Sequence, residues 1–130
     1  MHINQITEDM ALLTDWEDKY SYIIDLGKNL QAMPEKNKID AHKVSGCTSQ
    51  VWLTHKQEGE QHHFTVDSDA IIVKGLLALL LALYNGKKSD EIQATDAPSA
   101  LEKLGLSAHI SPNRRNGFAA VTHKIKSFVG

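Results

Sequence analysis

The segment A-I-I-V-K-G-L-L-A-L-L-L-A-L-Y, residues 70–84, constrains the fold most, because it is apolar almost all the way round a helix. Such a helix has to be covered on every side. A membrane span needs about 20 apolar residues, whereas this run is shorter and carries Lys74. It reads as the central buried helix of a folded domain, with the Lys74 stem along apolar surface and its ammonium reaching water. Asn85-Gly86 supplies the stop.

The rest of the chain has to supply that cover, and at 130 residues it makes one domain, residues 1–130, with a core of ordinary size. Ile3, Ile6, Met10 and Leu13 recur at helical spacing. Trp16, Tyr20, Ile23, Ile24, Gly27 and Leu30 give a second helix, opened by a Thr14–Glu17 capping box and ending near Met33-Pro34. Residues 35–43 are polar without period and read as a connecting loop. Residues 51–55 and 61–66 read as a β-hairpin turning at Glu58-Gly59, joined by a short strand over 43–45. Asp67, Ser68 and Asp69 are placed to cap the central helix. Residues 89–94 form a helical turn or two. Asp96 and Pro98 start another short helix, which K-L-G-L (103–106) closes as a Schellman motif. Ser111-Pro112 opens the last helix, with Phe118, Val121, Ile125 and Phe128 at helical intervals. The expected class is α+β: a small antiparallel sheet of about three strands packed against several helices.

Charge and cysteine content narrow the function. A net charge of −2 with mixed signs gives no general attraction for nucleic acid and no polybasic membrane patch. The one cysteine forms no internal disulfide, and a free thiol suits a reducing compartment. The start, M-H-I-N-Q-I-T-E-D-M, lacks the basic and apolar regions of a signal peptide, so a cytoplasmic location is expected. One thiol cannot hold an iron–sulfur cluster, which takes several protein ligands.

Cys47 stands in K-V-S-G-C-T-S-Q-V-W-L (43–53). An unpaired cysteine is most often a small buried core residue. This one lies outside any apolar run, between Ser45-Gly46 and Thr48-Ser49, where a loop feeds a strand and small neighbours leave sulfur accessible. Arg114 and Arg115 fall in the first turn of the last helix, where the helix dipole disfavours cations. They are either solvated arginines or part of an anion site able to stabilise a thiolate. His62 and His63 are neighbours in a strand and point to opposite faces, and the other histidines show no ligand spacing. A Cys47–His nucleophile pair needs a spatial contact that no local signature supports.

V-S-G-C-T-S-Q-V-W-L, D-S-D-A-I-I-V-K-G-L, S-P-N-R-R-N-G-F and W-E-D-K-Y-S-Y-I-I-D-L-G-K occur in an order that resembles the SufE family of sulfur acceptors. The resemblance covers almost the whole chain. G-L-L-A-L-L-L and L-E-K-L-G-L are also similar to the paralogous CsdE branch. It implies an IscU-like α+β fold and a single working cysteine in place of cluster ligands. It also implies a cysteine desulfurase partner, SufS-like or CsdA-like, whose pyridoxal phosphate belongs to that partner; this chain needs no cofactor or metal of its own. By the resemblance, Cys47 takes the persulfide sulfur, Gly46 is its flexible neighbour, Arg114 belongs to the active-site region, and Asp69 is an acidic position near the cysteine loop. Sulfur would then pass to an iron–sulfur scaffold such as a SufB-containing complex. The thiol is expected to be partly shielded at rest. Two other readings stand beside this one: a desulfurase-binding regulatory module that carries no sulfur, and a thiol redox sensor.

Overall fold

A computed structural model describes residues 2–47 and 49–129. Two helices, α1 (Ile3–Ala11) and α2 (Trp16–Lys28), precede a hairpin of β1 (Val51–Glu58) and β2 (Gln61–Ser68). Then come α3 (Ile71–Tyr84), the short β3 (Lys87–Lys88), α4 (Ser89–Ala94), α5 (Ala97–Lys103) and α6 (Pro112–Ser127). The sheet is antiparallel in the order β1-β2-β3. The α+β expectation holds.

The apolar run is the centre of the molecule, as its composition requires. Ile72, Leu76, Leu77, Leu79, Leu80 and Tyr84 of α3 are buried, and α3 packs on α2, on β2 and on α6. Its contact with α2 is the tightest: a β-carbon added at Gly27 would lie 2.7 Å from the Gly75 nitrogen, and one at Gly75 would run into the Ile23 carbonyl. Two glycines therefore let the helix backbones touch. The inner sheet face, Val51, Leu53, Phe64 and Val66, closes the other side of the core.

Several boundaries differ from the sequence reading. The second helix starts at Trp16 with Asp15 at the N-cap and no side-chain cap bond, so Thr14 and Glu17 form no capping box. It ends at Lys28, short of Met33-Pro34, where the Asn29 side chain donates to the Asp25 carbonyl and satisfies a terminal acceptor. The strand expected over 43–45 is a single bridge, Lys43 to Trp52. The third strand instead follows the central helix, where Gly86 N–H donates to the His62 carbonyl and the Asn85 side chain accepts from Phe64 N–H. The Schellman motif is present, with Leu106 N–H on Leu101 O and Gly105 N–H on Glu102 O.

Asp67, Ser68 and Asp69 do not cap α3, whose N-cap is Ala70 without a side-chain bond. The strand continues through Ser68, so Asp67 points to the outer sheet face. There its carboxylate lies 2.9 Å from Lys38 Nζ and 3.5 Å from Lys74 Nζ. Burial alone would raise its pKa, but the Lys38 and Ser68 hydrogen bonds and the two ammonium charges outweigh that and lower it. Stability from this group is present above the unfolded carboxyl value of about 3.9 and is lost as pH falls through the lower folded value. Asp67→Asn should therefore cost about 2 kcal/mol at pH 7. In denaturant titrations the gap to the wild type should close as the carboxyl protonates; an equal gap at acid pH would contradict the assignment.

His62 is buried and His63 half-buried, on opposite faces as expected. His55 Nε2 is 2.8 Å from His62 Nδ1, and His62 Nε2 is 2.8 Å from Ser89 Oγ. Phe128 follows α6 and stacks on His55 at 4.7 Å. Among the described residues, no group of three or more His, Cys, Asp or Glu is placed to hold a metal. No described helix is long and apolar enough to cross a membrane.

Candidate functional site

Cys47 lies on the loop between the Asp40–His42 turn and β1, and that loop is tied at both ends. Upstream, Val44 N–H donates to the Val51 carbonyl, and Lys43 bridges Trp52. Downstream, the Asp69 carboxylate accepts from both Gln50 N–H, at 3.1 Å, and the Gln50 side chain, at 3.3 Å. Between the ties the backbone turns at Gly46, whose φ of +90° lies in the left-handed region that side chains rarely adopt. Thr48 lies outside the described residues.

The turn lays Cys47 against α6. Its thiol donates to the Gly117 carbonyl at 3.7 Å, and a β-carbon added at Gly117 would stand 3.4 Å from the sulfur. Cys47 is half-buried, so the thiol is neither a core filler nor an open loop tip. A cavity of about 370 Å³ opens beside it. Val73, Leu76 and Leu77 of α3 with Phe118 and Val121 of α6 make its apolar floor, while Ser49, Ser111, Asn113 and Arg114 supply the polar lining.

Arg114 and Cys47 thus line one cavity, a juxtaposition that the resemblance implies and that residue spacing alone could not fix. Arg114 sits in the first turn of α6, where its N–H donates to the Ser111 side-chain cap. No described carboxylate pairs with its guanidinium. Arg115 turns away and donates to the Ser107 carbonyl. Asp69 serves the site indirectly, as the clamp on Gln50, and not as a cap on α3.

The sequence leaves open whether the arginines are solvated or stabilise a thiolate; in this arrangement burial is what acts on the thiol. Burial pushes the Cys47 thiol up from its ordinary value, and no charge among the described residues offsets it. That direction favours the protonated, weakly nucleophilic thiol over the thiolate. Sequence reasoning missed Gly117 and the α3 floor; an isolated glycine inside the last helical run was the available signal.

A profile of the SufE family, described as an Fe-S metabolism associated domain, matches residues 4–129. An uncharacterised SufE-like protein of Rhizobium meliloti is 44% identical, over 96% of this chain and 92% of its own. The sulfur acceptor protein CsdE of Escherichia coli is 42% identical over 116 residues, 88% of this chain and 79% of its own. In fold, the chain is similar to the solution structure of a hypothetical protein from Thermus thermophilus. That match has a TM-score of 0.79 at 18% identity and covers 98% of this chain and 92% of the other. With the family profile and these two relatives in agreement, the chain belongs to the SufE family.

Proposed function

We propose that this protein accepts sulfur on Cys47 from the persulfide of a pyridoxal-phosphate cysteine desulfurase, stimulates that enzyme, and delivers sulfur for iron–sulfur cluster assembly. The observation that carries the reading is the placement of the chain's one thiol. It sits half-sheltered beside an open cavity, on a short loop that is tethered at both ends. A relative of 42% identity named as a sulfur acceptor supports the same chemistry.

Transfer follows thiol–disulfide exchange logic. With the loop released, the Cys47 thiolate attacks the outer sulfur of the partner's persulfide. A new S–S bond forms at Cys47, the partner's S–S bond breaks, and its electron pair leaves on the partner's cysteine sulfur. The thiol proton goes to solvent or a partner base. Release raises the thiolate fraction as well as the reach, because it removes the burial that holds the pKa up. Arg114 then supplies positive charge on the side from which an anionic sulfur arrives or departs.

The direct assay is sulfide release from L-cysteine by the desulfurase with and without this chain, with stimulation expected. Arg114→Ala should lower stimulated turnover about tenfold or more. Its thermal unfolding should stay within about 1 °C of wild type, because a cation in a first helical turn with no carboxylate partner among the described residues contributes no stability. Unfolding well below the wild-type temperature would make Arg114 a structural residue.

A further inference from the structure

α6 carries Gly117 in its interior, where glycine costs about 1 kcal/mol relative to alanine, and Ala120 one turn on. Both stand under the cysteine loop. A β-carbon at Gly117 would meet Cys47 Sγ at 3.4 Å and the Cys47 Cα and Cβ at 3.8 Å. A β-carbon at Gly46 would stand 3.3 Å from the Ala120 β-carbon. The loop and the helix therefore approach through the smallest side chains available, at positions three apart on one helical face. Among the described residues, the thiol's own hydrogen bond is the weak one to the Gly117 carbonyl.

We propose that the Gly117–Ala120 face of α6 is the seat that docks the cysteine loop, and that Gly117 is the positioning residue whose size sets how far Cys47 is sheltered between transfers. The consequence for a loaded carrier rests on the function proposed above: a persulfide on the seated loop is kept from stray thiols, and an unseated one is lost to them. The steric basis is independent of that function. Close contact on the α6 side opposes only weak attraction, so a larger residue at 117 tips the loop outward, while the Val44 and Gln50 ties hold its ends. Leucine is a suitable probe because it is a better helix former than glycine and leaves α6 intact.

The experiment is iodoacetamide alkylation of the free protein across pH 6–10, with thermal unfolding followed in parallel. Gly117→Leu should alkylate about tenfold faster or more at neutral pH, with the midpoint of the pH profile moved down toward that of an ordinary cysteine near about 8.5. Unfolding should remain cooperative. A folded Gly117→Leu with wild-type rate and midpoint overturns the proposal. If Gly117→Leu does not fold, Ala120→Leu crowds Gly46 from the same face and is held to the same two readouts. Failure of both to fold also overturns it, since the face would then be core and not a seat. No desulfurase enters this assay. Loss of sulfur transfer with the alkylation result intact would count against the function alone.

Discussion

Cys47→Ser should bind the desulfurase as the wild type does and leave its turnover at the unstimulated rate. The substitution replaces Sγ by Oγ and keeps a donor for the Gly117 carbonyl, which the thiol reaches at 3.7 Å. The ties at Val44 and Gln50 do not involve the side chain, so the docked loop and the outer surface survive. What disappears is the chain's one thiol sulfur, the atom proposed to form the persulfide, because a serine hydroxyl is not a nucleophile toward sulfane sulfur near neutral pH. Stimulation should fall to background while co-purification or calorimetric binding is retained. A module that regulates by docking alone would still stimulate in full with serine in place. A redox sensor would lose its peroxide response and have no bearing on turnover.

Gly75→Ala should be the most destabilising small substitution in the chain. Helix propensity alone favours alanine over glycine by about 1 kcal/mol. Here the added β-carbon would be driven into the Ile23 carbonyl and side chain, and relief requires two packed helices to move apart. A net loss of about 3 kcal/mol or more is expected, or about 10 °C in midpoint for a domain of this size. Gly117→Ala is the matched comparison, also glycine to alanine inside a helix, where the new atom meets sulfur at an ordinary 3.4 Å. It should gain up to about 1 kcal/mol. Opposite signs at the two glycines separate close backbone packing from propensity; a stable Gly75→Ala would contradict the α2–α3 contact.

The fold was legible where periodicity decides it. The apolar run had to be central, the hairpin had to pair, although its turn is Gly59-Glu60 and Glu58 is still in β1, and the Leu101 to Leu106 closure was written in K-L-G-L. Polar residues at strand and helix ends were misread, because Asp before a helix looks like a cap until the register is known. Strand β2 runs two residues beyond its alternating pattern, which turns Asp67 outward to Lys38 and makes Asp69 the clamp on Gln50. The third strand was invisible because two lysines carry no apolar signal and are placed by Gly86 reaching the His62 carbonyl. At the site, Cys47 and Gly46 could be singled out from small-residue context. The meeting of Cys47 with Gly117, some 70 positions away, and the cavity it shares with Arg114 are products of α6 packing against α3. The direction of the thiol's pKa was also beyond the sequence, since a nearby arginine was weighed without knowing that burial dominates.

The most direct test of sulfur transfer is the intact and peptide mass of this protein after incubation with a cysteine desulfurase and L-cysteine, followed by alkylation without reductant. A carrier gains about 32 Da per sulfur on the peptide holding Cys47, and a thiol reductant removes it. An unchanged Cys47 peptide alongside a fully stimulated desulfurase would contradict sulfur transfer through this residue.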